Sequence, residues 1–242
     1  MNLMLVGMPG TGKTAVVESI FGDGMVKILV STMLEEDVGG LPYREGSAER
    51  RTQPKFIREL HEKAASNEKT CLFLDELDKA RQEVADTLLT LIQSRKINEW
   101  TLPENCQIVA AANPPEFGGG NGISEPMQSR FSIINWLPDP IKWARWCIEK
   151  YPHESVVANA VENGEIPIYD RVGFGLDART TCPRTLEMAI LATDCELASK
   201  EEKIKGLLTP QAASFFMESH SPEEILARQT LRKQKLGEVL RL

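Results

Sequence analysis

The chain has 242 residues and a formal net charge of −7, with a sequence pI near 5.2, so a chain-wide attraction to nucleic acid or anionic lipid is not expected, although a local basic patch stays open. Five cysteines without CxxC spacing and three histidines without metal-ligand spacing argue against a disulfide framework and a zinc site, and favour the reducing cytoplasm. No apolar run approaches transmembrane length and the first residues do not resemble a signal peptide, so no membrane insertion is expected.

Apolar runs typical of strands alternate with helical patterns over the first part of the chain. These runs lie at residues 3–6, 26–31, 70–74, 107–112 and 133–136. Such alternation is typical of a parallel sheet with helices on both faces. After residues 137–140, which read Leu-Pro-Asp-Pro, strand-like runs stop and helical patterns dominate. We therefore predict an α/β core over residues 1–138 with a five-stranded parallel sheet, then a smaller all-helical domain over residues 139–242. Residues 164–181 match neither pattern.

The first strand-like run leads directly into a complete phosphate-binding loop. Residues 7–14 read Gly-Met-Pro-Gly-Thr-Gly-Lys-Thr. The glycines allow consecutive backbone N–H groups to turn toward one anion, the following helix adds its positive dipole end, and Lys13 reaches the terminal phosphates. Thr14 is then placed to ligate Mg²⁺. The residues of this segment expected to bind the nucleotide are Gly7, Pro9, Gly10, Thr11, Gly12, Lys13, Thr14 and Ala15.

Two adjacent carboxylates, Asp75 and Glu76, follow the apolar run at 70–74. Successive side chains of a strand point in opposite directions, so the two can have different tasks. Asp75 can hold Mg²⁺, directly or through water, while Glu76 can polarise the water that attacks the γ-phosphate. In isolation the pair would mark only a solvated strand end, but the phosphate-binding loop earlier in the chain favours the catalytic interpretation.

A single amide, Asn113, ends the apolar run at 107–112, and Pro114 stops the strand because proline cannot donate to a ladder. A neutral group that donates and accepts hydrogen bonds could orient the attacking water and contact the γ-phosphate. Alone, an Asn-Pro pair would be interpreted as the start of a turn. Its place after a buried strand makes it a candidate catalytic residue.

Together these motifs resemble the AAA+ ATPase superfamily, and more closely its MoxR-like branch. The resemblance implies the three-layer αβα core of a P-loop NTPase with a helical lid, and it makes Asn113 similar to sensor 1. Residues 129–131, Ser-Arg-Phe, look like the arginine-finger segment, and residues 182–184, Cys-Pro-Arg, look like sensor 2. In that family Arg130 would reach the nucleotide of a neighbouring subunit and Arg184 would contact the nucleotide of its own. The competing residues are Arg81, Arg95 and Arg179 for the first role, and Arg179 for the second.

The function implied by the resemblance is ATP hydrolysis with Mg²⁺ by a ring, most simply a homo-hexamer, that remodels a protein client. Proteins with a von Willebrand factor A domain are client candidates on the same ground. One alternative is a DNA-directed motor or helicase loader that uses Arg44, Arg50 and Arg51, although the acidic charge makes nucleic acid a less favoured partner. A nucleotide-binding scaffold without turnover and a small-molecule kinase are further alternatives.

Two inserted segments have no catalytic motif. Residues 38–54 begin with a glycine pair and contain Tyr43 and several arginines, and residues 95–106 precede the run that ends at Asn113. The MoxR-like branch has a loop or hairpin at both places, so the first would face a ring's axial pore or a partner; mobile surface loops are the plain alternative.

Only two residues precede the first run, where the family has a segment that helps hold adenine. ATP is still expected, because the sequence has no Asn-Lys-x-Asp run, which would indicate guanine. Adenine would then be held mostly by the lid, or this sequence lacks the beginning of the gene product.

Overall fold

The computed structural model describes residues 2–118, 122–173, 177–192 and 200–219. The chain divides into two compact units, Met1–Leu137 and Pro138–Leu242. Within the described residues, no helix combines the length and apolarity needed to cross a bilayer.

The first unit is built on a five-stranded sheet whose strands are all parallel. The strands are β1 Leu3–Val6, β2 Met25–Leu29, β3 Thr70–Asp75, β4 Cys106–Ala112 and β5 Ser132–Asn135. Their order across the sheet is β2-β3-β4-β1-β5. The central strands β3 and β4 are almost wholly buried, as expected of strands covered on both faces. The predicted P-loop NTPase α/β core is confirmed.

Helices cover both faces of this sheet. They are α1 Lys13–Phe21, α2 Glu35–Gly39, α3 Lys55–Ala64, α4 Gln82–Ser94, α5 Pro115–Gly118 and α6 Glu125–Gln128, with 3₁₀ turns at Gly22–Gly24, Val30–Thr32 and Leu77–Lys79. Alternate residues of β3 enter two different cores: Leu72 and Leu74 pack on one face, and Cys71 and Phe73 on the other. This alternation follows from the period of two along a strand, and it produces the three-layer arrangement.

Both inserted segments form antiparallel ribbons. The first hairpin pairs Pro42–Glu45 with Ala48–Arg51, between α2 and α3. The second hairpin pairs Lys96–Ile97 with Trp100–Thr101, between α4 and β4. The second hairpin contacts the end of α2, because the side-chain amide of Asn98 donates to the carbonyl of Gly39 at 2.8 Å.

The second unit is mainly helical. Its helices are α7 Pro140–Lys150, α8 Ser155–Glu162, α9 Pro183–Leu191, α10 Lys200–Leu207 and α11 Pro210–Ser219. Asp139 begins α7, because its carboxylate accepts hydrogen bonds from the backbone N–H groups of Ile141 and Lys142. The core of the unit is formed by buried side chains that include Trp143, Val157, Ile166, Leu186 and Phe216.

One detail of the prediction for this unit was wrong, because the unit is not all-helical. Asp170–Val172 pairs antiparallel with Arg179–Thr181, inside the stretch that matched no sequence pattern. Strands of three residues are too short to show a period of two, so periodicity could not identify them.

Candidate active site

The candidate site lies at the carboxyl edge of the sheet. The phosphate-binding loop follows β1, Asp75 ends β3 and Asn113 follows β4. Because these strands are parallel neighbours in the order β3-β4-β1, the residues that follow them meet at one edge, which is where open α/β sheets bind ligands.

The phosphate-binding loop has the backbone conformation that its glycines allow. Gly10 and Gly12 have φ angles of 77° and 87°, in the left-handed region that glycine adopts without strain. Gly12 is also the cap residue of α1, so the loop leads directly into the helix N-terminus. The hydroxyl of Thr11 donates to the carbonyl of Met8 at 2.7 Å and closes the loop on itself. A helix N-terminus with such a loop is suited to bind an anion.

Lys13 lies across this loop with its ammonium group buried. The Nζ donates to the carbonyls of Gly7 at 2.5 Å and Met8 at 2.9 Å, and to the Oδ1 of Asn113 at 3.0 Å. A buried ammonium needs such acceptors to offset the loss of water. Phosphate oxygens could take the place of these acceptors, because they are stronger partners for a cation.

Thr14 and Asp75 bring two oxygen atoms together. The hydroxyl of Thr14 donates to the Oδ2 of Asp75 at 3.2 Å, and the ammonium of Lys27 lies 2.9 Å from the same Oδ2. Hydroxyl and carboxylate oxygens suit Mg²⁺, which usually takes one or two protein ligands together with water and phosphate oxygens. In the described part of the chain, no cluster of three or more His, Cys, Asp or Glu side chains could hold a metal alone. The pair therefore fits a magnesium ion that arrives with a nucleotide.

Glu76 is held by two donors. The hydroxyl of Ser31 donates to its Oε2 at 2.7 Å, and the ammonium of Lys79 donates to its Oε1 at 3.0 Å. The backbone of Glu76 has a φ of 57°, which is unusual for a residue with a side chain and is often found at functional sites. Each carboxylate oxygen accepts one of these bonds and keeps a second lone pair, so Glu76 can still accept a hydrogen bond from a water molecule while both donors hold it.

Asn113 is held through its backbone as well as its side chain. Its N–H donates to the Oδ1 of Asp78 at 3.1 Å. Asp78 is 2% exposed, and its Oδ2 has no hydrogen-bond partner among the described residues. Asp78 thus links the turn after β3 to the end of β4, and sets the position from which the Asn113 amide contacts Lys13.

Arg130 lies away from this group. It precedes β5, and its carbonyl accepts from the side chain of Asn2, which precedes β1. Its guanidinium donates to the Oγ of Ser129 at 2.7 Å and to the Oε1 of Gln93 at 3.2 Å. The loop lies at the other end of β1, whose four residues span roughly 13 Å. The fold of the first unit therefore does not bring Arg130 to the loop of its own chain.

The other candidate arginines lie in different surroundings. Arg184 is exposed in the first turn of α9. Arg95 donates to the carbonyls of Pro103 and Cys106 at 2.9 and 2.7 Å, which gives it a structural role at the end of α4. Arg179 donates to the carbonyl of Ala178 at 3.0 Å. Arg81 is the N-cap residue of α4, directly before its first residue.

Sequence reasoning missed several residues of the site. They are Lys27, Ser31, Asp78 and Trp136. The signals were weak: Lys27 is a single charge within an apolar strand, and Asp78 follows the carboxylate pair as an ordinary turn residue. Their roles depend on contacts across the fold that no local pattern records.

A family model matches most of the first unit. Residues 2–131 match the family model described as AAA domain (dynein-related subfamily). Over 100 residues the chain is 30% identical to the ATP-dependent zinc metalloprotease FtsH of Ureaplasma parvum serovar 3, which is 40% of this chain and 12% of that protein. Over 129 residues it is 27% identical to the proteasome-activating nucleotidase of Methanosarcina mazei, which is 48% of this chain and 27% of that protein. The chain thus matches only a minor part of both relatives.

Two solved structures are also similar. A RuvB mutant of Thermotoga maritima has a TM-score of 0.47 at 16% identity, and the match covers 90% of this chain and 62% of that one. NtrX from Brucella abortus has a TM-score of 0.44 at 16% identity, with 89% of this chain and 44% of that one covered.

Proposed function

The chain belongs to the AAA family, in its dynein-related subfamily, and on this basis we propose that it binds ATP with Mg²⁺ and hydrolyses it to ADP and phosphate. The observation that carries this proposal is the group formed by Lys13, Asp75, Glu76 and Asn113 at one edge of the sheet. A scaffold that only binds nucleotide would need the loop but would not need Glu76 or Asn113.

In the proposed reaction each residue has one task. Lys13 and the loop N–H groups bind the β- and γ-phosphates, and Thr14 and Asp75 hold the metal. When bound there, Mg²⁺ would supply positive charge that offsets the negative charge developing on the phosphates. Glu76 accepts a hydrogen bond from the attacking water and polarises it, while the Asn113 amide orients that water toward the γ-phosphate. The substitution Glu76→Gln should therefore abolish turnover and preserve ATP binding.

We further propose that the active form is a ring, most simply a homo-hexamer, in which Arg130 acts on the neighbour's nucleotide. Its place at the amino edge of the sheet supports this, since an arginine far from its own loop can serve a loop in the next subunit. Residues 1–138 would form the nucleotide-binding core and residues 139–242 a helical lid, and Arg184 of that lid would contact the nucleotide of its own chain. Both guanidinium groups would stabilise the charge on the transferred phosphoryl group.

Within the AAA family we propose the MoxR-like branch and a protein client. The two hairpins support this, because they lie where that branch is expected to have them. The first hairpin is exposed on both faces, with Tyr43 and Arg44 on its first strand, so it would contact the client or line the pore. Alanine at Tyr43 and Arg44 should impair client remodelling while basal ATP turnover stays unchanged. Affinity capture with Glu76→Gln, which should trap ATP and client together, would reveal whether a von Willebrand factor A domain protein is bound.

A DNA-directed motor is the less favoured alternative. Of the three arginines of the first hairpin, Arg50 pairs with Glu45 at 2.6 Å and Arg51 donates to the carbonyl of Gly40 at 3.2 Å. The Glu45 carboxylate offsets the charge of Arg50, and the Gly40 carbonyl occupies one donor of Arg51. Both contacts leave less for a phosphate backbone to bind. Stimulation of ATP turnover by DNA, with a steep loss at higher salt, would reverse this preference.

The experiment that tests the proposal is ATP turnover per subunit over a wide range of protein concentration, with Arg130→Ala mixed into wild type as a second series. Rising specific activity and suppression of wild-type subunits by the variant would support a shared site. Arg58→Ala is the matched control. Arg58 is also an exposed arginine, but it lies on α3 and belongs to none of the motifs assigned to ATP binding or hydrolysis. Flat activity without suppression would contradict the ring, and absence of both ATP binding and turnover would contradict the ATPase.

A further inference from the structure

Trp136 lies directly against the phosphate-binding loop. It follows β5, and its backbone N–H donates to the carbonyl of Val6 at 2.7 Å. Its indole N–H donates to the carbonyl of Thr11 at 3.0 Å. A Cβ atom on Gly7 would lie 2.3 Å from the carbonyl oxygen of Trp136, so the backbone at Trp136 also touches the start of the loop. One residue thus contacts the loop at two separate points.

The contact to Thr11 ties the loop to a different strand of the sheet, in addition to the hydrogen bond that Thr11 and Met8 form within the loop. Thr11 is 5% exposed, and a buried carbonyl without a partner costs free energy. The neighbouring residues Gly10 and Gly12 have left-handed backbones. Because glycine is conformationally permissive, these two residues do little to hold the loop in one conformation. The Trp136 ring itself packs on the core of Leu5, Val17 and Phe73, so the donor is carried by a side chain with little freedom to move.

We propose that Trp136 is a positioning residue that holds the phosphate-binding loop in its anion-binding conformation. This inference rests on the proposed function, since it concerns how the same loop binds the phosphates of ATP. Trp136 acts through the loop and does not contact the reacting atoms. It therefore affects the fraction of molecules whose loop is ready to bind, and leaves the hydrolysis step to Glu76 and Asn113.

The size of the effect follows from the hydrogen bond. A single buried hydrogen bond changes an equilibrium by about fivefold, and the apparent Kd of a ligand rises by the factor by which the competent conformer is depopulated. The substitution Trp136→Phe keeps a ring and removes the N–H. It should weaken ATP binding by up to about fivefold, the full factor being reached when the competent conformer is the minor one, with kcat at saturating ATP unchanged.

Trp100→Phe is the matched control. Trp100 lies on the second hairpin, and its indole N–H is buried without a hydrogen-bond partner among the described residues. The Kd for ATP with Mg²⁺ is measured by calorimetry on both variants in a Glu76→Gln background, well below both melting temperatures, and kcat is measured on the same variants with Glu76 intact. A merely structural role would lower the melting temperature of Trp136→Phe and leave its Kd equal to that of Trp100→Phe, and that result would overturn the inference.

A second measurement uses the wild-type chain, so it does not depend on how Trp136→Phe folds. Fluorotryptophan labelling gives four ¹⁹F resonances for the four tryptophans, assigned with single Trp→Phe variants and by elimination. Magnesium pyrophosphate should shift the Trp136 resonance and leave the Trp100 resonance unchanged. A shift with adenosine but none with pyrophosphate would mean that Trp136 contacts the base, contrary to the inference.

The two proposals fail in different ways. If neither wild type nor Trp100→Phe binds ATP, the proposed function is wrong and the role of Trp136 in ATP binding is wrong with it. If both bind ATP and Trp136→Phe binds equally well, only the role of Trp136 is wrong.

Discussion

The ammonium of Lys13 donates to the Oδ1 of Asn113 across 3.0 Å, although the two residues are 100 positions apart in the sequence. The contact arises because β1 and β4 are parallel neighbours with Val6 opposite Ala112, so the residues after both strands emerge side by side. A terminal phosphate bound by Lys13 would thus lie within reach of the Asn113 amide.

Asn113→Ala should lower kcat by roughly a hundredfold and change the Kd for ATP only slightly, because in the proposed reaction the amide orients the attacking water and the loop provides the binding. Steady-state turnover and calorimetry check the two quantities separately. Asn163→Ala, at an exposed position after α8, is the control and should match wild type. A variant that loses ATP binding and retains kcat would contradict this role.

The carboxylate of Asp78 should act through Asn113. Asp78→Asn keeps an acceptor for the Asn113 N–H and should keep most activity. Asp78→Leu leaves that buried N–H unpaired, and should destabilise the fold by about 1–3 kcal/mol and lower kcat at least about tenfold. Urea unfolding and turnover measure the two effects. Equal kcat in the two variants would show that Asp78 does not position Asn113.

Removal of divalent cations with EDTA should stop turnover, and added Mg²⁺ should restore it. Asp75→Asn should raise the Mg²⁺ concentration needed for half-maximal turnover about tenfold, since an anionic ligand is lost. Lys27→Met is the paired control: it removes the cation that lies 2.9 Å from the Asp75 carboxylate, so its Mg²⁺ requirement should fall or stay the same. An unchanged requirement in Asp75→Asn would exclude Asp75 as a ligand.

Gly7→Ala should be strongly unfavourable, because its Cβ would meet the backbone oxygen of Trp136 at 2.3 Å. Backbone atoms of two paired strands must then move apart, which should cost about 2–4 kcal/mol of stability and disrupt the phosphate-binding loop. Gly206→Ala is the matched control. Gly206 lies in α10 with no heavy atom near its added Cβ, so that variant should gain up to about 1 kcal/mol. Urea unfolding that shows equal effects for both would contradict the packing.

The buried cysteines should make the protein sensitive to alkali. Burial raises the pKa of the Cys71 thiol to about 12 and that of the Cys147 thiol to about 12. Because the folded-state pKa lies above the unfolded value of 9.0, the contribution to stability is complete below pH 9 and falls as the pH rises toward 12. The loss is about 1 kcal/mol for each thiol by pH 10.

Urea unfolding at pH 8 and pH 10 measures this loss directly. In the double variant Cys71→Ala and Cys147→Ala, stability should be lower at pH 8, because two cavities form, and it should fall less between the two pH values. An equal fall in the variant and in wild type would assign the alkaline sensitivity to other groups.

Those parts of this protein that depend on a local pattern of residues could be predicted before the fold was known. The glycine spacing of residues 7–14 predicted the backbone conformation of this loop, because glycine adopts the left-handed conformation found at Gly10 and Gly12 without strain. Strand-like apolar runs predicted five parallel strands, and each candidate residue at the end of a run lies at the carboxyl edge of the sheet. The family resemblance rested on these same local motifs.

Contacts between residues far apart in the chain could not be predicted in this way, because they depend on the arrangement of the strands. The order β2-β3-β4-β1-β5 brings Asp78 to the backbone of Asn113, Ser31 to Glu76 and Trp136 to Thr11. The same order separates Arg130 from the phosphate-binding loop by the length of β1. These contacts depend on strand order and on side-chain direction across the fold, and neither is encoded in the spacing of residues along one segment.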